Sequence, residues 1–545
     1  MRTHVNKYLW ASILVGLAIV YLRGLFVDVM DVDAAQYASI AQEMLHNQSY
    51  LQVKHWGRDY LDKPPLLFWL AAAFFRVLGV ATPVYKLPSL LVSMLGIYSV
   101  YRLALIYYNH QTARLAALLT ASSLAMFVMN NDVRTDTLLT GFVVFACWQI
   151  AAYLENRRAG YLLGAGAGIG LAMLSKGPIG LMIPLVAFTG HAFLSHRYWA
   201  FLRLGWIPML LIAAILLVPM AVGLYQQYGW DGLKFYFWTQ SFGRITGENP
   251  WHNDAGYFFL FHSFLWAFLP WSFLFLVAWV RKVVSYFRGS DYGNASSEYI
   301  SFSAFTITLV ALSFSHYKLP HYIFVVIPFA ALLTADFIAE TIKNPAVTWI
   351  GVVQGILLAS LALIATVIVV WIFPLHSWMI ACLVIGFAVM SGVCFFYRHK
   401  ELHLSSVCMI IACGLLLNLH FYPTLLQYQP AGRIAVYLEK HNIHPARLFT
   451  YRISSHALNF YRGTWTPVLN SESDLSQLAS PCWLLIREDH LQELSKAYCY
   501  TIRDSFVSYP VTRLRIPFLN PKTRNEVVKT LYLAECCQGA ENRNQ

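Results

Sequence analysis

Charge is what this sequence has least of. Only 12% of its 545 residues are Asp, Glu, Lys or Arg, against roughly 25% in an average soluble domain, and acids are outnumbered by bases, 27 to 39. Together with 58% hydrophobic residues, this excludes a soluble enzyme and a disordered chain, because disorder requires low hydrophobicity. Glycine, at 31 residues, is far too sparse for collagen, which needs it at every third position. The nine cysteines form no CxxC or His/Cys zinc spacing, so a structural zinc site is not expected. No Walker or dinucleotide glycine motif stands between a strand and a helix, and no internal repeat or low-complexity segment is evident. What is left is a polytopic membrane protein. Its formal net charge of +12 then marks cytoplasmic loops rather than nucleic-acid binding.

Apolar runs of about 16 to 25 residues, long enough to cross ~30 Å of hydrocarbon, recur from Tyr8 to about Tyr422. Leu66 to Val80 is shorter, carries Arg76 and reads as an interfacial helix. Counting it as a span would put Arg157, Arg158, Arg281, Lys282 and Arg288 outside and reverse the positive-inside bias. Thirteen spans follow, near 8–28, 86–105, 112–130, 137–155, 160–175, 178–194, 204–224, 257–281, 299–315, 322–341, 347–373, 378–397 and 404–421. The N-terminus lies in the cytoplasm, and the odd count puts the C-terminus outside. The transmembrane module is 1–423, with long extracytoplasmic loops at 27–85 and 225–251. Residues 424–545 read as a small extracytoplasmic α/β domain: Arg447–Arg452, Cys482–Arg487 and Tyr500–Phe506 are strand-like, and Ala431–Lys440 and Asp489–Ala497 are helical. Four tail cysteines, Cys482, Cys499, Cys536 and Cys537, would there meet an oxidising compartment that permits one or two disulfides.

Against this apolar background the outward-facing ionisable residues are few and informative. Asp28, Asp31 and Asp33 follow the first span. A carboxylate at the mouth of a hydrophobic bundle serves as a general base or cation ligand, or Asp33 simply caps the next helix. Arg58, Asp62 and Lys63 precede Pro64 and Pro65, whose rigidity fixes the start of the interfacial helix. Lys63 either binds a lipid phosphate, snorkels or pairs with Asp62. Asp136 begins the fourth span, as a site carboxylate or as a cap. Lys176, Arg244, His252, Lys318 and Tyr322 fall on the same face. Singly each cation reads as an interfacial anchor; gathered, they suit an anionic lipid head group and the activation of a hydroxyl.

The set Asp33-Ala34-Ala35-Gln36-Tyr37, Asp62-Lys63-Pro64-Pro65, Arg134-Thr135-Asp136, Leu174-Ser175-Lys176-Gly177, Arg244 with His252, and Lys318-Leu319-Pro320-His321-Tyr322 resembles the GT-C superfamily of lipid-linked-sugar glycosyltransferases. Within it, the likeness is to the bacterial aminoarabinose transferase and protein O-mannosyltransferase-like group, and it covers most of residues 1–425. The resemblance implies a GT-C-type all-α membrane fold in the bacterial inner membrane, with the active site on the extracytoplasmic face. It implies Asp33 as the catalytic carboxylate and Asp136 as a second acid of the site. Lys63, Arg244, Tyr322 and Lys318 then match positions for the donor phosphate, Asp62 and His252 positions near a metal or that phosphate, and Arg58 and Lys176 further site positions. A polyprenyl-phosphate sugar is the expected donor and a lipid A-like or protein group the acceptor. No cofactor is required by the chemistry, although Mg²⁺, Mn²⁺ or Zn²⁺ would suit the carboxylates and histidine. The competing readings are an ion-coupled transporter, which would place ionisable residues near the bilayer midplane, and a glycan polymerase or ligase of a different fold.

Overall fold

The computed structural model describes residues 2–537 except 197, 199–204, 241–242, 249–251, 254, 289–297, 342–347, 398–400, 477, 479–480 and 498. Among the described residues, the stretches expected as spans are occupied by helices or broken helices. Arg2–Gly24, Thr82–Tyr107, Thr135–Asn156, Ala159–Lys176, Ile179–Leu194 and Ile300–Ser313 stand as single helices. Others are interrupted. His110–Ala121 and Leu124–Asn131 meet at a 47° bend, and a 3₁₀ turn, Pro320–Val326, leads into Ile327–Thr341. Eight of the described helices are long and apolar enough to cross a membrane alone, and nine if the bent pair counts as one. The chain is therefore a multi-pass membrane protein.

Two expected boundaries move. The stretch Trp206–Lys234 is two helices joined at a kink: Gly229, with φ of 59° and ψ of −142°, is non-helical and breaks the first helix. The second helix runs into a wider turn, Phe235–Thr239, so much of the loop expected from 225 is helical. The last span likewise continues past 423, through Tyr422–Leu425 to Tyr428. Pro423 lies just after the wider turn Leu417–Phe421, within this continuous stretch.

The first long loop is a folded unit. Asp33–Asn47 forms a helix, β1 (Lys54–His55) and β2 (Arg58–Asp59) form a tight antiparallel hairpin, and Leu66–Leu78 is the expected short apolar helix. Glu43 holds the hairpin to the first of these helices, its carboxylate accepting from the backbone N–H of Trp56 and, at 2.8 Å, of Gly57.

The tail is a five-stranded mixed sheet. β3 (Leu448–Tyr451) lies parallel to both β4 (Val468–Leu469) and β5 (Cys482–Arg487), and β7 (Lys529–Cys537) runs antiparallel between β5 and β6 (Cys499–Ser508). Cys147, Cys382, Cys394, Cys408, Cys413, Cys482, Cys499 and Cys536 are thiols, with Cys482 and Cys536 opposite one another on β5 and β7. The sheet region is not a separate body. Ile434, Leu438, Leu448, Phe460 and Leu485 belong to the same continuous apolar core as the buried residues of the membrane helices. Phe460 stacks on Phe75 of the interfacial helix, with ring centroids 6.3 Å apart.

Candidate active site

The site is built where helices end. Asp33 opens the helix Asp33–Asn47 but caps nothing with its side chain. Its Oδ2 instead accepts from Nη1 of Arg134, whose Nε donates to Asp132 Oδ2 at 2.9 Å. Burial opposes the charge on Arg134, yet Asp132 and Asp33 beside it raise the guanidinium above its ordinary pKa. It is thus a permanent cation. Asp33 keeps 37% of its side chain exposed, so the carboxylate is both positioned and reachable.

Asp136 makes a second, deeper pair. It is 5% exposed and accepts from Lys176 Nζ, with His321 Nε2 3.8 Å from its other oxygen. Asp136, like Asp33, makes no helix cap: the cap position of Thr135–Asn156 is Arg134, with no side-chain hydrogen bond. Lys176 is the last residue of its helix. Gly177, at φ 89°, terminates that helix and Pro178 begins the approach to the next, so the lysine is presented at a sharp turn. A cation there also complements the partial negative charge of the helix C-terminus. The Lys176 ammonium lies 4.0 Å from the ring centroid of Tyr322, within cation–π range.

Next to this pair lies a cavity of about 180 Å³. Its walls are Leu139, Ile179, Met182, Ile183, Val186, Ile307, Ala311 and Leu312, and its polar lining includes Lys63, Lys176, Gln240 and Tyr322. Lys63 pairs with Asp62 at 2.8 Å, and the Asp62 carbonyl accepts from Gln240. Lys63 thus both pairs with Asp62 and lines the cavity.

The remaining expected residues lie elsewhere. Lys318 is buried with Nζ on the Ala255 carbonyl, 2.8 Å away, and its backbone is bracketed by Asn253; it secures a loop. His252 is exposed, its ring 6.1 Å from that of His316. Arg58 is exposed on the hairpin. The side chain of Arg244 falls outside the described residues. Asp62 and His252 are thus held by different neighbours, and among the described residues no three His, Cys, Asp or Glu side chains converge as a metal cage requires. Gln240 is a member of the site that sequence reasoning passed over, and Asp132, Arg134 and His321 stand out in the sequence only as parts of motifs.

An apolar cavity with lysines in its lining lies beside paired carboxylates at the ends of membrane helices, in a helix bundle that carries a docked sheet. In fold and in sequence the chain is similar to aminoarabinose transferases. It superimposes on ArnT from Cupriavidus metallidurans bound to undecaprenyl phosphate with a TM-score of 0.72, at 16% identity and over 98% of both chains. The sequence profile of the family described as "Dolichyl-phosphate-mannose-protein mannosyltransferase" matches residues 62–222. The undecaprenyl phosphate-alpha-4-amino-4-deoxy-L-arabinose arabinosyl transferase of Pseudomonas savastanoi pv. phaseolicola is 26% identical over 344 residues, 61% of this chain and 62% of the relative. The same enzyme of Pseudomonas aeruginosa UCBPP-PA14 is 27% identical over 49% of each chain. The chain therefore spans 62% and 49% of the length of these two curated relatives.

Proposed function

We propose that this protein is an inverting glycosyltransferase that moves a sugar from an undecaprenyl-phosphate-type donor to a lipid A-like or protein acceptor, on the outer face of the bacterial inner membrane. The observation that carries the reading is the cavity: apolar walls suited to a polyprenyl chain, with Lys63 and Lys176 in its lining, beside the two acid pairs. A sugar phosphate already has a good leaving group. What remains is to orient the acceptor, take its proton and neutralise the departing phosphate. Asp33 receives the hydroxyl proton while the acceptor oxygen attacks the anomeric carbon; the bond from that carbon to the phosphate oxygen breaks, and its electron pair leaves with the lipid phosphate. A phosphate acceptor arrives deprotonated, and Asp33 then has no proton to take.

Lys63 and Lys176 supply the positive charge at the leaving group, and Arg134 holds Asp33 in place. The relatives' names, which specify an aminoarabinose donor on undecaprenyl phosphate, favour that lipid as carrier. Charge neutralisation is assigned to the lysines, so transfer persists in a chelator. Loss of activity restored by Mg²⁺, Mn²⁺ or Zn²⁺ would assign part of that role to a metal.

The decisive assay is sugar transfer from a polyprenyl-phosphate donor in membranes carrying Asp33→Asn. Loss of turnover is expected, and near-normal activity would remove Asp33 as the base. The orientation, with the N-terminus inside and the C-terminal domain outside, is tested with cysteines at exposed positions 58 and 287. An impermeant reagent should label the first and not the second in intact cells.

A further inference from the structure

The segment Val29–Asp31 enters the site from the first span and delivers Asp33 two residues later, yet most of what holds it comes from the other end of the chain. Val29 N–H donates to Tyr461 Oη at 2.9 Å. Gln429 grips both sides of the strand: its Oε1 accepts from Asp31 N–H at 2.8 Å and its Nε2 donates to Val29 C=O at 2.8 Å. The Asp31 carboxylate is a peg seated in the tail, accepting from Ser455 Oγ at 2.7 Å and Ala457 N–H at 3.1 Å. Ser455 in turn accepts from Leu458 N–H at 3.2 Å. Next along the chain, Ser39 Oγ donates to the His456 carbonyl at 3.2 Å. On the membrane side, buried Lys86 fixes the start of the segment through the carbonyls of Gly24, at 3.2 Å, and Val27, at 2.6 Å.

We infer that Gln429, Ser455 and Tyr461 of the C-terminal region, with Asp31, are positioning residues that set the location of the Asp33 carboxylate. Five hydrogen bonds between Val29–Asp31 and three tail residues and Ala457 leave that segment little freedom. Asp33 itself has only Arg134 as a described side-chain partner beyond Asp132's bridge, so its placement is inherited from the backbone before it. Displacement of a reacting group by about 1 Å costs on the order of 10²-fold in rate. The C-terminal region is on this view part of the active-site scaffold, and Asp31, though adjacent to the base, never meets the substrate. The inference rests on the reading of Asp33 as the base.

The test uses the full-length protein and compares Gln429→Ala, Gln429→Glu, Ser455→Ala and Tyr461→Phe, measuring kcat and donor KM per mole of folded, monodisperse protein. Gln429→Ala is expected to lower kcat by tenfold to a hundredfold with donor KM within about twofold of wild type, because the lysine-lined cavity is untouched. Gln429→Glu keeps the acceptor for Asp31 N–H and should recover part of that loss. If Gln429→Ala does not fold, Tyr461→Phe and Ser455→Ala, which each remove a single oxygen, should show the same split at smaller size. Unchanged kcat in all four, or parallel changes in kcat and KM, would overturn the inference. Asp33→Asn is the control that separates the two claims: an active Asp33→Asn defeats the base itself, whereas an inactive one with normal Gln429 variants defeats only the positioning role.

Discussion

At the scale of single residues the site is two acid–base pairs, and the deeper one makes the sharper prediction. Asp136 and Lys176 are both well shielded, at 5% and 14% exposure, and removing one member of a buried pair strands the other at a cost of about 3–5 kcal/mol. Asp136→Ala should therefore lower the thermal unfolding midpoint of the purified protein markedly, and Asp136→Asn combined with Lys176→Gln should recover most of it. Donor affinity would stay impaired in the double variant, since Lys176 lines the cavity. A double variant no more stable than the single one would mean that the pair is not what the site relies on. Lys63→Ala belongs to the same scale: with Asp62 39% exposed to water, its loss should raise donor KM about tenfold and leave folding intact, as read from donor-dependence curves and gel filtration. Asp33, Lys63, Asp136 and Lys176 were legible in the sequence because a carboxylate or an ammonium is conspicuous in a chain so poor in charge. Their partners were not. Arg134 meets Asp33, and Lys176 meets Asp136, only after the chain has folded across many intervening residues, and Lys318 looked equivalent to Lys176 until the structure turned it onto a backbone carbonyl.

At the scale of elements, close contact between helices decides whether these side chains converge. Gly180 lies in the first turn after Lys176-Gly177-Pro178, and a Cβ there would sit 2.5 Å from the backbone of Ala172 and Met173. Backbone cannot swing away as a side chain tip can, so Gly180→Ala must part the helices Ala159–Lys176 and Ile179–Leu194 at the very turn that presents Lys176. Overpacking of this kind costs about 1–3 kcal/mol, and here it also shifts an ammonium that lines the cavity. The expected result is a lower unfolding midpoint together with a raised donor KM. A Gly180→Ala protein with normal donor use would show that the turn tolerates the displacement. The helices themselves were readable from hydropathy, since a span must satisfy its backbone internally and so declares itself by length. The tail was readable in part. Ala431–Lys440 and three strands fell where alternation and amphipathicity placed them. By contrast, β7, the strand that joins β5 to β6, was missed: Lys529–Cys537 gains its place from pairing on both sides rather than from its own pattern. The second helix after the kink at Gly229 was missed for a related reason, because polar and aromatic residues at the membrane rim look like loop.

At the scale of the whole molecule, the surface joining the first loop to the C-terminal region carries buried titratable groups, which makes the docking of the two parts sensitive to acid. His55 on the hairpin and His456 on the tail face each other with ring centroids 5.0 Å apart. Burial, helped by His456, pushes the His55 imidazole down to about 4. Burial also lowers His456, against the pull of Asp31 and Asp33. Both rings are thus neutral in the docked state, and an undocked or unfolded chain would bind protons at an ordinary histidine pKa near 6.5. Between about 6.5 and 4 the unfolded state holds more protons than the folded one, so stability falls as pH falls through that window. Asp31 works in the opposite sense: burial raises its carboxyl above the usual range despite the hydrogen bonds from Ser455 and Ala457, so acid relieves part of the cost of burying it. The histidines outnumber it, and a net loss is expected. His55→Phe keeps an aromatic ring against His456 and Tyr60 while removing one titrating group. Unfolding midpoints recorded from pH 7 down to 4 should therefore drop for the wild type and drop less for His55→Phe, with the two curves converging toward neutral pH. Parallel curves would place the acid sensitivity somewhere other than this junction. Because the same junction holds the segment that delivers Asp33, turnover should decline over the same pH interval in the wild type, and the decline should be milder in His55→Phe.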